Sequence, residues 1–304
     1  MNPVFFCERY TACKYAFDTT RKSAELAELL HLDPLPGVEV CDPTPSTEIT
    51  ERLIETVHHR RYVNAVRTGT PIGLATSQGF EWDPGIHTMG IAHSAGLVAA
   101  TDEVLREGGP RWAGSLSSGL HHASFATGKG YCTYNGLAVA AKRAHDLGAR
   151  RILVIDVDAH CGGGTYGLIR PFGGVQIDVS VSSFDHWHND EDDEESDLEF
   201  SGTDEYLEKI ERALQRASRL GPWDIVFYNS GMDPFNNGIS TAALHKRERM
   251  MAEWSADHSV PTVATLAGGY TSSSITMDKI VSLHRMTFEA VSYTHLTLPT
   301  ILLV

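Results

Sequence analysis

The sequence predicts an α/β domain: a mainly parallel sheet covered by helices on both faces. Three observations carry that expectation. The runs 152–157, 175–181, 224–228 and 262–266 are short, apolar and rich in β-branched residues, as strands buried on both sides are. Amphipathic helical patterns separate most of them, which favours parallel crossovers. Polar residues able to do chemistry gather where these runs end, and parallel sheets bind ligands beyond the carboxyl ends of their strands.

The elements follow in order. Residues 3–6 read as a short strand. Residues 22–32 carry Leu26, Leu29 and Leu30 at helical spacing. The Pro-rich stretch 33–45 is a loop around a short strand at 38–40. Ser46 is suited to cap a helix that puts Ile49, Leu53 and Val57 on one face. Residues 88–107 form a long helix of small residues, and 135–147 another that stops at Gly148. Residues 204–220 bring Tyr206, Ile210 and Leu214 to one side, and 241–254 are helical. The acidic run DEDDEE at 190–195 is expected as a solvated loop. The last segment, VSYTHLTLPTILLV, is apolar with no helical or clear strand pattern. A single domain over 1–290 is therefore expected, followed by a non-native or disordered tail at 291–304.

Bulk properties narrow the function. At 304 residues and 42% hydrophobic, the chain can bury a large core without a disulfide framework. Its net charge of −14 leaves no electrostatic footprint for nucleic acid or an anionic membrane, and a large substrate is expected to be basic. The five cysteines are odd in number and include no CxxC pair, which fits a reducing cytoplasm and neither a zinc ribbon nor a disulfide scaffold. No run of 18 apolar residues occurs, and the first fifteen residues lack the basic-then-apolar order of a leader.

Four constellations carry chemistry. In Ile155-Asp156-Val157-Asp158-Ala159-His160, strand alternation puts Asp156 and Asp158 on one side, with His160 just past the end. A carboxylate and an imidazole together suit zinc. Asn229-Ser230-Gly231-Met232-Asp233 ends the next strand and brings a second carboxylate to the same rim. Three protein ligands leave a fourth position open, the arrangement of a catalytic rather than a structural zinc. Gly119-Leu120-His121-His122-Ala123 can present two imidazoles, one as general base and the other as proton donor to a leaving amine. In Leu266-Ala267-Gly268-Gly269-Tyr270-Thr271, the glycines permit a sharp turn that aims the Tyr270 hydroxyl inward as an oxyanion donor. A further pair, His58-His59, ends a helix before two arginines and is expected at the surface.

In order and approximate spacing, HHA, GYC, DVDAH, SGMD and AGGYT resemble the histone deacetylase family over nearly the whole chain. The resemblance implies an arginase–deacetylase fold and a zinc-dependent (or ferrous) deacetylase acting on acetyl-lysine or on a small acetylated amine such as a polyamine. It implies Asp158, His160 and Asp233 as metal ligands, and His121 and His122 as the tandem histidines, with His122 the base. Asp156 would orient His121, and Tyr270 would polarise the carbonyl. Gly130 and Tyr131 would wall the acyl tunnel, Asp83 would grip the substrate at the rim, and Gly268 and Gly269 would line the substrate's path. A structural potassium ion is implied near Asp156 and Ser180.

The chain also departs from the family. After His160 it reads Cys161-Gly162-Gly163-Gly164, so Gly163 stands where the family has the carboxylate that pairs with the second histidine. A water or a backbone carbonyl is then expected to assist His122, and an Asp introduced at 163 would raise activity if room exists for its side chain. The loop after Val181 lacks the usual Pro-Gly segment, and Trp187 is the candidate for a second aromatic wall. His186 and His188 are expected as loop residues. Two other functions compete. A two-metal hydrolase of arginase type would need a carboxylate where Gly162 stands. A metal-stabilised module that binds acyl groups without cleaving them has Gly163 and the altered loop as its support.

Overall fold

A computed structural model describes residues 1–13 and 18–297. The strands are β1 (Asn2–Phe5), β2 (Val38–Cys41), β3 (Trp112–Ser118), β4 (Ile152–Asp156), β5 (Gly174–Ser180), β6 (Asp197–Phe200), β7 (Ile225–Gly231) and β8 (Thr262–Ala267). They form one eight-stranded sheet in the order β2-β1-β3-β8-β7-β4-β5-β6, with every neighbouring pair parallel. The expected α/β class holds, and the four apolar runs lie side by side as β8, β7, β4 and β5.

Successive residues of β4 enter opposite cores, because side chains alternate along a strand: Ile152 and Val154 on one face, Leu153 and Ile155 on the other. The first core is completed by α2 (Thr47–Val57), α3 (Arg60–Thr68), α5 (Gly85–Leu105), α6 (Gly136–Asp146) and α7 (Gly163–Ile169). The second is completed by α1 (Asp18–Leu32), α8 (Tyr206–Leu220), α9 (Thr241–His258) and α10 (Met277–Thr297). The short α4 (Ile72–Ala75) packs on α3. Among the described residues, no helix is long and apolar enough to cross a membrane.

Local chemistry explains several boundaries. The Asn135 side chain accepts from Ala138 N and starts α6, whose end is followed by Gly148 at φ 106°. Ser46 precedes α2, but its side chain makes no capping bond. Sequence patterning does not find β3, whose buried WAGSLSS is too small and polar to read as an apolar run, nor the part-exposed edge strand β6. The acidic run is not simply solvated. Arg170 pairs with Asp190 and, at 2.6 Å, with Asp192, while Glu195 takes a two-pronged bond from Arg151. The expected break at 291 does not occur there: α10 continues to Thr297, Val291 packs in the core, and Ser292 Oγ donates to Pro36 O. The rest of the tail, 298–304, lies outside the described residues.

His58 corrects the surface reading of the His58-His59 pair. It is buried, and its Nδ1 donates to Ser124 O at 2.9 Å while its Nε2 accepts from Asn135 N at 2.9 Å. His93 is used in the same way, with Nε2 donating to Tyr10 O and Nδ1 accepting from Ser118 N. Each ring has one donor and one acceptor bond, so each must be neutral. Burial holds both at about 4, below their usual value. In the unfolded chain they take up protons below about 6.5, so folding opposes protonation between that value and 4. Stability is therefore expected to fall as pH drops from 6.5 towards 4, by about 1.4 kcal/mol per pH unit for each histidine. Urea titrations across that range check this, and a profile that His93→Gln leaves equally steep would remove His93 from the account.

Candidate active site

Five adjacent strands, β3, β8, β7, β4 and β5, point their carboxyl ends at one place. The segments that leave them supply His121 and His122, Gly268 to Tyr270, Asp233, Asp158 and His160, and the loop at 181–196. One cavity is lined by His121, His122, Gly130, Tyr131, Asp158, Gly268 and Tyr270, among others.

Beside Asp158, which lines it, stand His160 and Asp233; the three residues each offer one ligand-type atom, all within 4.8 Å of one another. His160 Nδ1 lies 3.1 Å from Asp158 Oδ1 and 2.9 Å from Asp233 Oδ2. Asp233 Oδ1 accepts from Ala159 N, but its buried Oδ2 makes no aligned hydrogen bond. Two buried carboxylates and an imidazole, with one oxygen lacking a proper donor, fit a divalent cation of zinc type. The electrostatics agree. The hydrogen bond to Asp158 and the nearby Asp233 carboxylate push His160 up to about 10, so a proton supplies positive charge there. Burial and the charge of Asp158 raise Asp233 to about 6. Burial also works against the charge of Asp158, yet His121 and His160 hold it well below the usual carboxylate range. No other cluster of this kind occurs among the described residues.

Missing side chains make the cluster possible. A Cβ on Gly231 would lie 2.3 Å from Asp158 Cα, and one on Gly268 would lie 2.3 Å from Asp233 Cγ. Gly268 and Gly269 both have positive φ, which turns the chain sharply after β8. Gly268 lines the cavity, whereas Gly269 faces Ile280 and His284. The turn is gripped by Asn236, whose side chain accepts from Tyr270 N at 3.0 Å and donates to Tyr270 O at 2.8 Å. Burial, with Asp233 and Asp158 nearby, raises the Tyr270 hydroxyl far above neutrality and keeps its proton in place.

The histidines differ in charge. His121 Nδ1 donates to Asp156 Oδ2 at 2.7 Å, and its Nε2 lies 3.6 Å from Asp158 Oδ1. Burial opposes its charge, but Asp156 and Asp158 outweigh it and push His121 up to about 10. Asp156 is held in turn by Asn229 Nδ2 and Asp158 N. His122 is kept neutral by burial and by the charge on His121, at about 4. Its Nδ1 donates to Asp185 Oδ2 at 3.0 Å. The acceptor is thus a carboxylate from another loop, not the water or backbone carbonyl expected. Nor is there room at Gly163 for a side chain, since a Cβ there would lie 2.5 Å from Asp185 O.

Other expectations change. Trp187 is not a wall of the cavity: it is buried, stacked on Tyr166, and donates to Asp178 Oδ2 at 2.7 Å. Phe184 is the aromatic of this loop beside the histidines, half-exposed, with its ring 4.9 Å from His122 and 5.8 Å from His160. Tyr131 is similarly exposed and packs on Phe80. Asp83 does not line the cavity: it is buried, and its Oδ1 accepts from Gly85 N at the start of α5. His186 and His188 are exposed loop residues whose rings contact each other.

The sequence reading passed over Lys22, Asn229, Asn236 and Asp185. Lys22 left a trace, because it falls on the apolar stripe of α1 four residues before Leu26. It is buried, lines the cavity and donates to Gly268 O; burial lowers it to about 8 despite the two aspartates.

Known proteins resemble this chain in sequence and share its fold. An uncharacterised protein of Picosynechococcus is 28% identical over 234 residues, covering 71% of this chain and 75% of that protein. Histone deacetylase 2 of Arabidopsis thaliana is 29% identical over 189 residues, covering 57% of this chain but only 49% of its own length. The crystal structure of an acetylpolyamine aminohydrolase from Burkholderia pseudomallei superposes with a TM-score of 0.72 at 15% identity, covering 96% of this chain and 98% of that one. Residues 15–189, more than half of the sequence, match the histone deacetylase domain, so the chain belongs to the histone deacetylase family of hydrolytic enzymes.

Proposed function

We propose that this domain is a metal-dependent amidohydrolase that removes an acetyl or short acyl group from the amine of acetyl-lysine or of a small acetylated amine such as a polyamine. The observation that carries the reading is a cavity lined by His122, which is neutral, by Tyr270 and by Asp158 of the Asp-His-Asp cluster. Asp158, His160 and Asp233 would hold one zinc or ferrous ion. When bound, the ion supplies Lewis acidity to the amide carbonyl and the attacking water.

The residues of the chain do the rest. His122 takes the water's proton at Nε2, the nitrogen left over when Nδ1 donates to Asp185. His121, fixed by Asp156, stands beside it as the charged partner. As the new C–O bond forms, the Tyr270 hydroxyl donates to the oxygen that gains charge. The C–N bond then breaks, the nitrogen takes a proton from the histidine pair, and acetate and a free amine leave. Gly130, Tyr131 and Phe184 would flank the narrow linear part of the substrate. The buried Ser180 Oγ, which makes no aligned hydrogen bond, supports a structural potassium ion near Asp156 and Ser180. Cysteine usage favours the cytoplasm.

Asp185 removes the main support for a non-cleaving acyl-binding module, because His122 does have its carboxylate. A substrate panel tests the function. Zinc-loaded protein is expected to release acetate from an acetyl-lysine peptide or an acetylpolyamine, with activity lost to a chelator and restored by zinc or ferrous ion. Protein that binds one ion per chain yet releases acid from no acetyl-, polyamine- or longer acyl-lysine substrate would be a binding module instead.

A further inference from the structure

The carboxylate beside His122 comes from a place that the Gly163 position does not suggest. Asp185 sits in the loop after β5, at φ 60°, a left-handed conformation that aspartate tolerates better than most residues. Its Oδ2 accepts from His122 Nδ1 and, at 3.2 Å, from Gly164 N at the start of α7. Its Oδ1 accepts from Lys129 Nζ. The approach depends on Gly163, since a Cβ there would run into Asp185 O and crowd its carboxylate. The bare backbone at 163 and the aspartate at 185 thus form one complementary pair of features.

We propose that Asp185 is the positioning residue of His122: it fixes the ring in the Nδ1–H tautomer and leaves Nε2 bare towards the cavity. Gly163 is the cradle that admits it. This rests on His122 as the base of the proposed hydrolysis. A single backbone acceptor would also fix the tautomer, but a carboxylate additionally stabilises the imidazolium that forms once Nε2 takes a proton. The role therefore falls on turnover more than on substrate affinity.

The experiment reads the tautomer directly. Protein labelled with ¹⁵N-histidine is compared by NMR as wild type, Asp185→Ala and Asp185→Glu, without added metal. Wild-type His122 is expected as Nδ1–H, and in Asp185→Ala it moves towards the Nε2–H form that free histidine favours. With the best acetylated substrate, kcat of Asp185→Ala falls on the order of 10–100-fold with little change in KM, and Asp185→Glu recovers part of the loss. A wild-type His122 in the Nε2–H form overturns the proposal even if the alanine variant does not fold. An unchanged tautomer or unchanged kcat in folded Asp185→Ala overturns it as well. Protein that hydrolyses nothing defeats the proposed function, while the tautomer still decides the role of Asp185.

Discussion

Asp233→Ala is expected to lose tight divalent-ion binding and all measurable hydrolysis while keeping most of the fold. Asp233 is fully buried and is one of only three ligand-type groups in the cluster. Its removal leaves two protein ligands, too few for a tight catalytic site of this type. The structural cost has two opposing parts. Ala159 N loses its acceptor, which costs about 1–3 kcal/mol when such a group is buried. Against that, an unfavourable negative charge leaves the interior, since burial and Asp158 already raise this carboxyl. The fold should therefore survive, as circular dichroism and thermal melting would show. Metal analysis after dialysis decides the rest. The parent protein should carry one ion per chain and the variant none. A variant that keeps its ion and its turnover would remove Asp233 from the site, and two tight ions in the parent would defeat the single-metal reading.

Tyr270→Phe removes one hydroxyl and is expected to lower kcat by about 10²–10³, roughly 3–4 kcal/mol of transition-state stabilisation. Burial keeps this hydroxyl protonated throughout the neutral range, so it can donate to a developing oxyanion without carrying charge itself. The bond strengthens as the carbonyl oxygen gains charge, so KM should change much less than kcat. Asn236 grips the backbone at 270, so the phenylalanine ring should keep its place. Turnover within twofold of the parent on the best substrate would take Tyr270 out of the mechanism.

Much of this arrangement was legible because of where the residues sit. Ile152 to His160 declares itself through a continuous apolar run followed by polar residues two apart, which only a strand end can present on one side. Trp112 to Ser118 gives no such sign: it is central in the sheet, but its buried serines and glycine satisfy packing with small volumes. Asp185 was out of reach for another reason. Its use depends on a positive-φ turn and on two loops that meet only after β4 and β5 pair. The empty position at Gly163 did signal that His122 needed an acceptor from elsewhere, but not which one. Trp187 was misplaced because an aromatic in a short loop can face the mouth or the interior. Only the hydrogen bond to Asp178 and the stack on Tyr166 decide it.

The position of β8 carries a consequence for biosynthesis. This strand is made last of the eight, yet it is inserted between β3 and β7. Until Thr262 to Ala267 leave the ribosome, β3 and β7 lack the strand that pairs them, so any part of the sheet already formed has an open edge of unpaired backbone groups. Such edges are templates for pairing with other chains. A stalled or proteolysed chain ending before residue 262 would therefore be sticky as well as inactive, because the same strand leads into Tyr270. Joining the two halves of the sheet and completing the site both depend on this one strand.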